Sequence, residues 1–181
     1  MDDGLAATIE ADFQHSCATW GASRGRVWLV GLTKSALYPR IRAVLLFRLA
    51  QRCWLWGPSQ PIALWLQARI LRASGAELHP AAVVGPGLML AHSAGIVLGH
   101  EVTIGRDCVL FHGVTLGHDG RRPGQPVLGD RVRVFAGSAV LGPVHLGDEA
   151  VVAASSVVLT DVGAGVTVVG APARPIRAHR K

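Results

Sequence analysis

His92 stands where a regular pattern breaks. Before it, Leu78, Val84 and Leu90 recur at six-residue steps, and after it Leu98, Ile104, Leu110 and Leu116 do the same. Between Leu90 and Leu98 the step is eight, so two residues are extra. An imidazole titrates near neutrality and is suited to removing a proton from a weakly acidic hydroxyl. A titratable side chain in the irregular step of a regular scaffold is therefore a candidate general base. The competing assignment is a buried structural histidine. A second irregularity, 117–127, is rich in turn formers and charge, which marks a loop leaving the scaffold. It carries His118, Asp119, Arg121, Arg122 and Gln125.

The scaffold comes from the repeat itself. After the interruption, the six-residue ladder resumes as Leu128, Val134, Val140, Leu146, Val152 and Val158. Hexapeptide periodicity is the signature of a β-helix. Each face contributes one apolar residue to the axis, and coils stack at the strand spacing of about 4.8 Å. With roughly eighteen residues per coil, the fifteen between Glu77 and His92 bring the two to adjacent coils. The period does not give the handedness.

Ahead of the repeat the pattern is helical. Leu5, Ile9 and Phe13 suggest a short helix over 5–18, with Glu10 and Asp12 on its wetter side. A loop is expected from Gly21 to Arg26. Pro39 suits a first helical turn. The helix it starts should run to Trp54, with Arg40, Arg48, Gln51 and Arg52 on a polar side and Gly57-Pro58 as its stop. Pro61 starts another, to Ala73, with Gly75 as its stop. This last helix is apolar around most of its circumference, which predicts burial against a neighbour; a membrane-surface helix is the competing account. The expected organisation is a helical region over 1–75, a β-helix over 76–177 and a basic tail over 178–181.

Composition bounds the rest. Half of the 181 residues are hydrophobic, which excludes a disordered chain. The formal charge of +6 favours acidic or phosphorylated partners, but no basic run is interleaved with aromatics, so nucleic acid is not expected. Cys17, Cys53 and Cys108 are odd in number and form no CxxC, which points to a reducing compartment. Cys108 reads as a packing residue. The N-terminus lacks an apolar signal core, and the uncharged run 53–68 is too short to span a membrane. A cytoplasmic protein without a transmembrane segment is the expectation.

Four stretches carry a family resemblance. Glu77-Leu-His-Pro80, Gly87-Leu-Met-Leu-Ala-His-Ser-Ala-Gly-Ile-Val-Leu-Gly99, Gly113-Val-Thr-Leu-Gly117 and Val168-Val-Gly-Ala-Pro-Ala-Arg174 resemble the hexapeptide-repeat acyltransferases, above all the serine O-acetyltransferases. The resemblance covers about residues 75–177. It implies a mainly β fold, a left-handed parallel β-helix with a small N-terminal helical domain. It also implies acetyl-CoA as co-substrate, no metal, and a homotrimer or dimer of trimers with active sites between subunits. The histidine matching His92 is the family's general base, and the acid matching Glu77, usually aspartate, orients it. A carboxylate on the second ring nitrogen fixes the tautomer and stabilises the imidazolium.

Departures from the family concern the substrates. An aspartate that helps hold the serine amine precedes the family base; here it is Ala91. No Asp-Pro-Ala segment supplies a second one. The family's carboxylate-binding Arg-His-Pro aligns with Gly124-Gln125-Pro126, with Arg121 and Arg122 nearby and His112 facing the same level. These changes predict an acceptor other than free serine: a modified or carrier-tethered amino acid, a sugar or a secondary metabolite. Serine itself, in cysteine biosynthesis, is the alternative. For the donor, the resemblance assigns His118, Asp119, Ala136, Gly137, Ala154, Thr160, Arg174 and Arg177. Phe135 and Ser155 add bulk where the family has glycine. A non-catalytic β-helical scaffold remains an alternative, as does a zinc hydrase like the γ-class carbonic anhydrases. The histidine spacing disfavours zinc, since the residue five before His112 is Asp107. His79 is expected to be structural, and His15, His100 and His145 to lie on the surface.

Overall fold

The computed structural model describes residues 4–17 and 26–176; the expected loop over 21–25, Arg177 and the 178–181 tail lie outside them. Four helices come first: α1 (Gly4–Cys17), α2 (Val27–Leu37), α3 (Pro39–Leu55) and, after a 3-10 turn at Gly57–Ser59, α4 (Gln60–Ser74). Pro39 opens α3, where its missing N–H leaves no bond unmade. Gly75 closes α4 in a left-handed conformation, φ 68°, with its N–H on Leu71 O. The sequence gives no clear sign of α2, because Gly31 interrupts its apolar run. The glycine is a packing device: a Cβ there would run into the ring of Phe13 on α1.

From Glu77 the chain winds into a β-helix of very short strands. The first turn holds β1 (Glu77–Leu78), β2 (Val83–Val84) and β3 (Met89–Leu90). The second holds β4 (Val97–Leu98), β5 (Thr103–Ile104) and β6 (Val109–Leu110). The third holds β7 (Thr115–Gly117), β8 (Val127–Leu128) and β9 (Arg133–Val134), and the fourth β10 (Ala139–Leu141), β11 (His145–Leu146) and β12 (Val151–Val152). The last contains β13 (Val157–Val158) and β14 (Thr167–Gly170), on which β15 (Ala173–Ile176) folds back antiparallel. Stacking gives three parallel faces: face A, β1-β4-β7-β10-β13; face B, β2-β5-β8-β11; and face C, β3-β6-β9-β12-β14, closed by β15. The six-residue ladder is the axis of the solenoid. Leu78, Leu98, Leu116, Val140 and Val158 stand in register on face A, all buried. A fully buried Leu or Val contributes about 1.5–3 kcal/mol, and here every turn adds one per face.

Strand carbonyls in the solenoid point back toward the preceding turn: Met89 N–H bonds Cys108 O, and Val109 N–H bonds Val132 O. In the first turn, among the described residues, they meet no strand. Helical side chains take that place. Gln51 Nε2 donates to Ala82 O (2.7 Å), Arg48 Nη1 to Val84 O (2.6 Å), Arg48 Nη2 to Gly85 O (2.6 Å) and His15 Nδ1 to Gly87 O (2.6 Å). The polar side of α3 therefore faces the open end of the solenoid. This corrects the expectation for Asp12 and His15. Asp12 is 1% exposed, because its carboxylate closes on Arg48, itself 3% exposed, and His15 is half-buried against the corner 85–88. Helix α4 covers Ala63, Leu66 and Ile70, while Ile62, Leu64, Trp65 and Leu71 stay exposed on the single chain.

Candidate active site

The two extra residues of the repeat can be named. Ala91 N–H bonds Leu110 O just as Phe111 N–H bonds Val134 O, so Ala91 and Phe111 are equivalent. Gly113 N–H bonds Ala94 O just as Gly137 N–H bonds His112 O, so Ala94 and His112 are equivalent. Between these matched positions the first turn carries His92 and Ser93, and the second carries nothing. Ser93 is buried and His92 is exposed. The candidate base is thus half of an inserted dipeptide, pushed out of the ladder at the corner joining faces C and A.

That corner is built on left-handed residues. Gly75, Gly95, Gly113, Gly137 and Ser155 follow one another up the stack with φ of 68°, 69°, 66°, 68° and 57°. Gly95 and Gly113 take this φ without strain, whereas Ser155 carries a side chain in the same conformation. His112, Ala136 and Ala154 form the adjoining column, and the ring of His92 meets that of His112 edge to face at 5.8 Å. Beside them runs a second column, Ala91, Phe111, Phe135 and Ala153; the Phe111 and Phe135 rings stack at 4.7 Å and 17°. In the sequence Phe135 appears only as added bulk; its pairing with Phe111, 24 positions away, shows only in the coil register.

Glu77 opens face A one turn before this corner. Its N–H bonds Ile96 O (2.8 Å), and Gly95 N–H bonds Gly75 O (2.9 Å). Its side chain is exposed. Glu77 and His92 share no hydrogen bond or ion pair in the free chain.

The remaining candidates sit elsewhere. Loop 118–126 connects β7 on face A to β8 on face B, so it leaves from the opposite edge of face A. Within it, Asp119 accepts from the N–H groups of Arg121 (2.9 Å) and Arg122 (2.8 Å) and pairs with Arg122 Nε at 2.7 Å. Those backbone donors and the guanidinium hold the Asp119 carboxyl well below the usual carboxylate range. His118 Nδ1 accepts from Gly120 N–H (2.9 Å), and Arg122 Nη2 reaches Leu159 O (3.3 Å), next to Thr160. Gln125 Oε1 is buried with no hydrogen-bond partner. Arg174 lies on β15. The structure therefore gathers His92, Ala91, His112, Ala136, Gly137 and Ala154 at one corner. It places His118, Asp119, Arg121, Arg122, Gln125 and Thr160 along another.

Other expected structural roles are visible. His79 packs edge to face between Trp54 (5.4 Å) and His100 (5.0 Å); burial first, then His100, lowers its pKa. Cys108 is fully buried, and desolvation pushes its thiol up to about 11. Among the described residues no three His, Cys, Asp or Glu side chains could hold a metal ion together, and no helix is long and apolar enough to cross a membrane.

No family model matches the sequence. Individual proteins do. The serine acetyltransferase of Helicobacter pylori strain J99 is 42% identical over 151 residues, which is 80% of this chain and 85% of that one. The chain belongs to the serine acetyltransferase family. The acetyltransferase of Synechococcus elongatus is 36% identical over 172 residues, 93% of this chain and 68% of its own. Among solved structures, Neisseria gonorrhoeae serine acetyltransferase in complex with serine superposes with a TM-score of 0.81 at 33% identity, over 96% of this chain and 69% of that chain. A serine acetyltransferase in complex with CoA gives 0.79 at 30%, over 95% and 69%. As a family member this protein is an O-acetyltransferase, and its parallel β-helix with helices before it is the family's fold.

Proposed function

We propose that this acetyltransferase moves the acetyl group of acetyl-CoA to the hydroxyl of a serine-type acceptor, with His92 as general base. The observation that carries this is the His92–Ser93 insertion. It projects an imidazole from the corner, beside the column of His112 and the small residues Ala136 and Ala154. His92 takes the hydroxyl proton as the oxygen attacks the thioester carbonyl. The C–O bond forms, the C–S bond breaks, and the proton passes from the imidazolium to the departing CoA sulfur. No acyl-enzyme is involved. Glu77, anchored beside the same corner, turns its carboxylate to the second imidazole nitrogen when substrate binds; catalytic hydrogen bonds often close only in the complex. The donor lies along Ala136, Gly137 and Ala154, where small residues leave room for a thioester arm.

L-Serine is the acceptor that the named relatives support, and they give no support to an acceptor other than serine. A second reading rests on Ala91 and the Phe111–Phe135 stack. They make the flank of His92 apolar where an amine would need a carboxylate, which favours a seryl compound with a blocked amine. A thiol-release assay with acetyl-CoA across serine, N-acylated serine, homoserine, sugars and carrier-bound serine separates the two. Release with free serine at least as fast as with the others supports the first.

Arg121, Arg122 and Gln125 stand across face A from His92 within one chain. We infer that a homotrimer brings one subunit's loop 118–126 to its neighbour's His92 corner, and that the exposed apolar residues of α4 join trimers. Sedimentation analysis tests both. The unpaired cysteines, Cys17, Cys53 and Cys108, fit the reducing cytoplasm.

A further inference from the structure

Strand β3, which leads into the His92 corner, is the terminal strand of face C: β6 pairs with it on one side, and among the described residues no strand lies on the other. Its counterparts β6, β9 and β12 are held on both sides. An edge strand held by one ladder is the first part of a sheet to open. A base projected from such a strand needs another fixture.

Helices α1 and α3 supply one. Asp12 Oδ1 accepts the backbone N–H of Leu88 at 2.8 Å, one residue before β3. The same carboxylate receives Arg48 Nε at 2.7 Å and Nη2 at 3.0 Å. Arg48 goes on to Val84 O and Gly85 O, each at 2.6 Å. The corner ahead of β3 is thus gripped by its Leu88 N–H and by the Val84 and Gly85 carbonyls through one buried ion pair, with His15 Nδ1 on Gly87 O beside it. Burying two charges is a costly way to gain stability, since apolar side chains of the same volume often do as well. What the pair adds is direction: fixed donors and acceptors that set the height of the strand.

We propose that Asp12, held by Arg48, is a positioning residue for His92, fixing Leu88 and through β3 the place from which the inserted imidazole projects. The kinetic consequence rests on the reading of His92 as the base; the structural consequence does not.

The test compares Asp12→Asn and Arg48→Lys, in the full chain, with Ile70→Val, a conservative loosening of the α4 packing that makes no part of the Asp12–Arg48 clamp. Acetyl transfer to L-serine should show kcat reduced about tenfold or more in the two clamp variants, with KM for acetyl-CoA within about twofold, since small misplacements of a reacting group cost rate more than binding. The His92 ring signal in NMR should shift or double. Ile70→Val should lower the melting temperature alone. Clamp variants that melt early, like Ile70→Val, yet keep wild-type kcat and an unaltered His92 signal would overturn the proposal. If Asp12→Asn does not fold, Arg48→Lys decides. If the wild type releases no CoA with any acceptor, the His92 signal decides: a shifted or doubled resonance in Arg48→Lys supports the positioning role, and an unchanged one overturns it.

Discussion

His92 and His112 meet edge to face at 5.8 Å although they do not occupy equivalent positions in the coil. His112 is the counterpart of Ala94, and His92 belongs to the inserted pair that has no counterpart. On the proposal that His92 is the base, His112 limits where that ring swings. Replacing His112 with Ala should lower kcat by about tenfold, well short of the 10²–10⁴ expected for loss of a general base. Steady-state kinetics on the two alanine variants checks the order.

Glu77 is exposed and adjacent to the corner, so replacing it leaves the core intact. Glu77→Gln should retain the fold and lose about 10–10² in kcat, because an amide cannot stabilise the imidazolium. Glu77→Asp should keep more activity than Glu77→Gln. Circular dichroism together with kcat for the three proteins is the measurement.

The solenoid was legible because its period is short and its core positions fall one per six residues; each residue of the ladder from Leu78 to Val158 is buried. The irregular step was legible too, though its two extra residues, His92 and Ser93, emerge only from the hydrogen-bond register. What sequence could not give was the partner of each polar helical residue. Asp12 reads as wet on a helical wheel, and its partners are 36 and 76 positions away. The split between the His92 corner and loop 118–126 was equally hidden, because nearness in coil level does not say which edge of a face a loop leaves from.

Gly105 sits where successive turns come close together. A Cβ there would lie 2.6 Å from Gly129 backbone and 2.5 Å from Asp130 Oδ1. Gly105→Ala should destabilise the protein by about 1–3 kcal/mol, the usual cost of overpacking. Gly117→Ala, where a Cβ meets nothing within 4 Å, should cost far less. Urea unfolding of both variants gives the comparison.

Cys108 should be inert. With its thiol pushed up to about 11, the thiolate is scarce at neutral pH and rises only as pH approaches that value. Native protein treated with iodoacetamide at pH 7.5, at about one unit below the ordinary thiol value, should be unmodified at Cys108 by mass spectrometry, and should react there after unfolding.

Loop 118–126 should hold its shape at mildly acidic pH. The Asp119 carboxyl is depressed, so its hold on Arg121 and Arg122 is present above the ordinary aspartate pKa and is lost as pH falls through the lower folded value. Asp119→Ala should raise KM for substrate with the melting temperature nearly unchanged. A KM unaffected by Asp119→Ala would remove the loop from the site.

The role of His92 as general base is tested most directly by His92→Ala assayed for CoA release from acetyl-CoA with L-serine, with acetyl-CoA binding measured in parallel. A kcat lower by about 10²–10⁴ with undiminished acetyl-CoA binding is the predicted result for loss of a general base. Turnover at the wild-type rate would contradict it.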